Sequence, residues 1–272
     1  FADLDEVEIR TPLGKYMQTK LSIATELVRS ALELYKFNDA ASILYNFVWN
    51  EFCDWGIEYS KASKESLNEL GAIFKETLKL ISPFMPFISD YLYHKLSGTT
   101  LEEADSVMVM SFPKIEDRFP DEESMFIVIE EMITTIRRAK VVIDMGNSKI
   151  AKIYIKSDSL TDYETAIPFI SKLAKVENVE FVSEKVDNSI TELGKTFEVY
   201  LPTDEIDMSP IISKLTKQQE KTQKEVDKLN GMLSNERFVA NAPEAVITQN
   251  KEALEEASNK LIKIQNELKA IS

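Results

Sequence analysis

The 272 residues carry 46 Asp and Glu against 32 Lys and Arg, a net charge of −14 that argues against indiscriminate nucleic-acid binding. With 44% hydrophobic and 29% charged residues, the composition is that of a folded, soluble chain long enough for two or three domains. No apolar run approaches the roughly 18 residues of a membrane helix, and one Cys with one His excludes an internal disulfide and a zinc site built from Cys and His alone.

A cytoplasmic setting is therefore expected, without a membrane or a signal peptide. Phe1 opens in mid-pattern, which suggests a piece of something longer. The charge is uneven. Met208 to Ser272 holds ten Lys and Arg against nine Asp and Glu, whereas Phe1 to Asp207 holds 22 against 37. The C-terminal part is built by different rules from the body.

Thr11-Pro12 is a helix start, a capping hydroxyl followed by Pro at the first helical position. Met17, Leu21, Ala24, Leu27, Val28, Ala31, Leu34 and Tyr35 then recur at helical spacing, and Asn38-Asp39 breaks this helix and can cap the next. The second helix carries Ile43, Leu44, Phe47, Val48, Phe52 and Trp55. Ser63 caps a third through Leu67, Leu70, Ile73, Phe74, Leu78 and Ile81, ended by Ser82-Pro83. A fourth runs from about Pro86 to Leu96, closed by Ser97-Gly98. Four amphipathic helices with short links predict an antiparallel bundle.

Ser106 to Phe112 alternates and predicts an extended segment laid along the bundle. Asp121 starts a long helix through Phe126, Ile129, Ile133 and Ile136 to about Ile143. Strands are predicted over Lys152–Lys156, Val179–Val182 and Lys195–Leu201, with a helix over Tyr163–Leu173, a small α/β unit.

From Ser209 a heptad takes over: Ile212, Leu215, Gln219, Thr222, Val226, Leu229 and Leu233, then Ile247, Asn250, Leu254, Ala257, Leu261, Ile264, Leu268 and Ile271. Two such runs joined by a turn over Ser234–Pro243 predict an antiparallel helical hairpin. At about 1.5 Å per residue, a 25-residue helix projects roughly 37 Å. Lys214, Lys217, Lys221, Lys224 and Lys228 all fall at c or f, opposite the seam, with Glu220, Glu225 and Asp227 to the sides. Such a file suits a phosphate backbone, and it equally suits a solvated outer face. At the tip, Phe238 and Val239 read as a cover for the seam end, and Arg237 is an open candidate for RNA contact.

Trp49, Phe52 and Trp55, three apart, predict one apolar face packed into the core. Pro83, Phe84 and Pro86 in Ser82-Pro83-Phe84-Met85-Pro86-Phe87 read as a helix–helix corner. Cys53 has no nearby base and is no activated nucleophile. His94, near a helix end, reads as a surface or partly buried residue. Seven glycines leave little material for a phosphate loop, and no catalytic or metal-binding set emerges.

Asn50-Glu51-Phe52-Cys53-Asp54-Trp55 and the Ser82–Phe87 motif resemble the anticodon-binding helical domain shared by synthetases for Val, Ile and Leu. Ile136-Arg137 resembles the connecting segment of the valyl-tRNA synthetase family. Phe197-Glu198-Val199-Tyr200-Leu201-Pro202, a lysine-rich helix, and Leu233 to Pro243 resemble the C-terminal arm of the bacterial valyl-tRNA synthetase family. The resemblance implies a mainly α fold with a small α/β unit. It also implies three parts: an anticodon-binding helical bundle over 1–118, a connecting helix and small α/β domain over 119–207, and a coiled-coil tRNA-binding arm over 208–272. The implied partner is tRNA-Val, bound at its anticodon stem by the bundle and at its outer corner by the arm, within a parent enzyme expected to be monomeric. ATP and Mg belong to the parent's catalytic domain, so no cofactor and no activity are expected of this stretch alone. The competing expectation is a helical coiled-coil module that binds protein and no RNA.

Overall fold

The computed structural model describes residues 4, 7–100, 102–142, 145–157, 163–202, 209–234 and 244–271, with the backbone alone at a few helical positions, Lys214 among them. It divides into two compact units, residues 1–139 with 147–203, and residues 140–146 with 204–272.

The first unit begins with α1 (Pro12–Glu33). Thr11 caps it, its Oγ1 accepting from the Gly14 amide at 3.0 Å, with Pro12 in the first turn. The helix ends earlier than its apolar spacing predicts. Tyr35 takes φ 58°, and the Tyr35 and Lys36 amides bond back to Leu32 and Ala31. The break therefore sits at Tyr35, and Asn38-Asp39 lies inside the first turn of α2 (Phe37–Tyr45). Leu34 and Tyr35 end up exposed rather than on the core face.

The chain continues from α2 into a π-helix (Asn46–Gly56) and then α3 (Ile57–Ser60). Ser63 opens a 3-10 turn over Lys64–Ser66 ahead of α4 (Leu67–Ile81), without itself capping the backbone. Pro86 begins α5 (Pro86–Ser97), and Gly98 ends it at φ 66°, the left-handed conformation that glycine adopts without a steric penalty. Pro83 and Phe84 form the corner before it, where the Phe84 and Met85 amides bond to Ile81 O.

The extended segment expected over Ser106–Phe112 is interrupted, with Ser106 and Met110 extended on either side of a turn. Val107–Val109 is a 3-10 turn, because Asp90 takes the Val107 amide at 2.8 Å and the Ser106 hydroxyl at 2.8 Å, while Val107 inserts beside Leu78 and Tyr93. The extended strap lies further on, along α1. Pro113 O accepts from Arg29, Glu116 O from Ser22, and Asp117 O from Gln18, and the Phe119 amide donates to Thr19 Oγ1.

Next comes α6 (Pro120–Val142), whose Phe126, Ile129, Met132, Ile133, Ile136 and Ala139 are all fully buried. A four-stranded sheet follows in the order β2-β1-β4-β3. β1 (Ile150–Ser157) pairs parallel with β2 (Val176–Phe181) across the crossover helix α7 (Tyr163–Ala174), and antiparallel with β4 (Phe197–Pro202). The edge strand β3 (Ser189–Leu193) has no counterpart among the predicted strands. The bundle and the crossover helix α7 share one core. Phe126 of α6 stacks on Tyr16 of α1 at 4.7 Å and meets Tyr59 of α3 at 5.0 Å and Phe169 of α7 at 5.1 Å.

In the second unit, α8 (Ser209–Leu233) and α9 (Glu244–Ile271) pack as a hairpin. Val226, Ala257 and Leu261 are buried between them, flanked by Leu229 and Leu254.

Candidate nucleic-acid interface

On α8 the described seam residues are buried or half-buried, and Lys217, Lys221, Lys224 and Lys228 are exposed. This follows from the heptad: the apolar stripe must face α9, so c and f positions face water. None of these four lysines forms an ion pair with a described residue, and Asp227 is engaged instead by the Gln223 amide at 2.9 Å. Their ammonium groups are thus held in one file and free for phosphate oxygens. Lys214 shares the helix, with its side chain outside the described residues, and Arg237 with the rest of the tip, 235–243, lies outside them altogether.

The aromatic motif of the bundle divides. Phe52 is 5% exposed and stacks on Phe74 at 5.2 Å, as a core residue should. Trp55 is half-buried, stacked on Tyr59 at 5.4 Å and covered by the Arg137 guanidinium at 6.0 Å. Trp49 departs from the expected common face: it is 56% exposed and lies parallel to exposed Tyr45, with ring centroids 6.3 Å apart and planes within 8°. The reason is the i→i+5 hydrogen bonding of Asn46–Gly56, which lengthens each turn by about one residue, so a spacing of three no longer keeps side chains on one side. Phe87, beside the corner prolines, is also turned outward, at 84% exposure.

Beside this segment, α1, α2 and the π-helix enclose a cleft of about 350 Å3 lined by Lys20, Ile23, Leu27, Ser42, Asn46 and Glu51, among others. Burial holds the Glu51 carboxyl above its ordinary range, against the opposing pull of Lys20. Burial also raises Glu130, which accepts from the Tyr16 hydroxyl at 2.6 Å.

His94 is a buried tether rather than a surface residue: its Nδ1 sits 2.9 Å from Thr99 Oγ1. Cys53 is half-buried, and burial raises its thiol above the usual value, which keeps it a poor nucleophile. Among the described residues no group of three or more His, Cys, Asp or Glu could hold a metal ion, and no helix is long and apolar enough to cross a membrane. What the surface offers is a file of cations on one unit and exposed, paired rings on the other.

Residues 14–155 match the family model described as the anticodon-binding domain of tRNA ligase, and residues 207–272 match the one described as the valyl tRNA synthetase tRNA binding arm. The chain belongs to the valyl-tRNA synthetase family. It carries that family's anticodon-binding domain and tRNA-binding arm. It is 53% identical over 98% of its length to a valine--tRNA ligase of Nitratiruptor sp., and 51% identical over its full length to one of Wolinella succinogenes. A valine--tRNA ligase of Aquifex aeolicus is 31% identical over 96% of this chain. The chain spans 30% of the length of the first two relatives and 24% of the third.

The helical hairpin of the arm was legible from its heptads, and its family from Phe197–Pro202, the lysine-rich helix and Leu233 to Pro243. The Tyr45–Trp49 pair was not, since an i→i+5 path leaves no mark in the order of apolar residues. Its available signal was the near absence of charge around it: from Phe37 to Asn50, Asp39 is the one charged side chain.

Proposed function

We propose that this chain binds tRNA-Val and positions it for charging with valine by an ATP-dependent valine--tRNA ligase. In this reading the bundle meets the anticodon stem and loop, and the arm meets the outer corner of the tRNA through Lys214, Lys217, Lys221, Lys224, Lys228 and Arg237. Amino-acid activation and editing of mischarged tRNA are assigned to other parts of such a ligase, and no residue here is given a role toward ATP or Mg. The working enzyme is proposed to be a cytoplasmic monomer.

One observation carries the reading: an anticodon-binding match and a tRNA-arm match occur in one chain, the latter on the helix whose lysines face water. Phosphate contacts position a nucleic acid without reading sequence, so in this reading the lysine file of the arm supplies affinity and the bundle supplies discrimination.

The test is an electrophoretic shift with tRNA-Val and a non-cognate tRNA, run beside a light-scattering mass. A tRNA-Val complex at lower protein concentration than the non-cognate one, with a monomeric mass, is expected. No complex with either tRNA, together with a self-associated mass, would establish the protein-interaction module instead.

A further inference from the structure

We infer that Tyr45 and Trp49 form a stacking platform for an unpaired nucleobase of the tRNA, with Asn46 and Asn50 meeting the edge of that base. The inference rests on the tRNA-binding reading above. Both rings are more than half exposed and nearly parallel, at 64% and 56% exposure and 8° between planes. Their neighbours Phe47 and Phe52 are buried, so the core of the bundle is complete without them.

Ser42, Tyr45, Asn46, Trp49 and Asn50 are all exposed on successive turns, in a chain whose net charge is −14. The stripe itself carries no charge, and the Glu51 carboxylate beside it accepts from Asn46 Nδ2 at 3.4 Å. Asn50 Nδ2 donates to Asn46 Oδ1 at 2.8 Å, which orients both amides and leaves the Asn50 carbonyl and a second N–H for a partner. Asn46 and Ser42 also line the 350 Å3 cleft, which gives room for an adjoining nucleotide beside the rings.

Flat exposed rings with amides at their edge match single-stranded RNA, whose bases are splayed out, stacked on aromatic side chains and hydrogen-bonded along their edges. A duplex offers no free base face. The occupant is thus a loop nucleotide, and the anticodon-binding match over 14–155 covers the platform.

The probe is a labelled hairpin RNA with the anticodon stem and loop of tRNA-Val, titrated by fluorescence anisotropy against this chain and its Trp49→Ala, Trp49→Phe and Lys217→Glu/Lys224→Glu variants. Trp49→Ala should weaken hairpin binding about 5- to 150-fold, the range of one lost base stack. Trp49→Phe should restore most of it, and a fully paired RNA should not distinguish either Trp49 variant from wild type. Melting should be unchanged. Equal hairpin affinity of Trp49→Ala and wild type would overturn the platform, as would equal losses for hairpin and duplex. A concentration-dependent mass abolished by Trp49→Ala, with hairpin affinity intact, would overturn it in favour of a protein contact. If wild type bound neither hairpin nor whole tRNA, the tRNA-binding reading itself would fall. Loss of the platform alone would leave whole tRNA still responding to the lysine double variant.

Discussion

Glu69 of α4 closes the N-terminus of α1 by gripping Thr11. Its carboxylate accepts from the Thr11 amide at 3.1 Å, from the Thr11 hydroxyl at 2.5 Å and from the Arg10 amide at 3.0 Å, and the side chain is almost fully buried. A carboxylate from a neighbouring helix thus supplies what a capping-box Glu supplies from within one helix, and its charge complements the positive end of the helix dipole.

Glu69→Ala should cost roughly 1 to 3 kcal/mol, since it leaves buried donors unpaired. Gly14 is coupled to the same contact, because a Cβ there would lie 1.8 Å from Glu69 Oε2. Gly14→Ala should destabilise the wild type by displacing the carboxylate. In the Glu69→Ala background it should be neutral or stabilising by up to about 1 kcal/mol, the helix preference for Ala over Gly. Urea unfolding of the four proteins measures the coupling, and strictly additive effects would contradict it.

Phe52 and Trp49 belong to the same motif and should behave oppositely. Phe52→Ala removes a buried ring stacked on Phe74 and should cost about 3 to 5 kcal/mol. Trp49→Ala removes an exposed ring and should shift stability by no more than about 0.5 kcal/mol. Thermal melts of both variants decide this. A large loss for Trp49→Ala would restore the core reading that its spacing suggested.

The lysine file should act through charge alone. Replacing Lys217 and Lys224 by Glu should weaken binding to all tRNAs alike, and flatten the dependence of log affinity on log salt by something near 0.7 to 0.9 per lost contact. Helix content should not change, since both positions lie away from the seam. Superimposable salt titrations of variant and wild type would mark the file as a solvated face.

Glu130 gives a pH signature. Burial raises its carboxyl above the ordinary 4.5, so the folded protein holds this proton more tightly than the unfolded chain does. Stability therefore falls as pH rises from about 4.5 through the raised value, and recovers on acidification through the same window. Glu130→Gln keeps an acceptor for Tyr16 and removes the charge. Its stability relative to wild type should rise with pH across that window and level off above it. A pH-independent difference between the two proteins would contradict this assignment.

Elements marked by local chemistry were legible in the sequence. Thr11-Pro12 fixed the start of α1, Pro86 and Gly98 bounded α5, and the three-four spacing placed the seam of α8 and α9. What escaped depended on partners distant in sequence or on unusual backbone. β3 is a short, half-exposed edge strand with three polar residues in Ser-Ile-Thr-Glu-Leu, recognisable only by its pairing with β4. The 3-10 turn at Val107 is set by Asp90, and the left-handed turn at Tyr35 occurs without glycine. Of the candidate surface, the outward phase of the arm lysines follows from the heptad. The outward turn of Trp49 needed the backbone.

The π-helix also bears on how this surface could vary between relatives. A stretch closed i→i+5 packs more residues into a given axial length than an α-helix does, and so stores surplus chain. Loss of one residue between Asn46 and Gly56 could be absorbed by tightening toward i→i+4 bonds, leaving Leu44 and Tyr59 at their core positions on either side. The side chains between them would rotate about the axis. A single-codon deletion here would thus re-aim the exposed rings while sparing the scaffold, a change of contact surface that substitution alone does not offer.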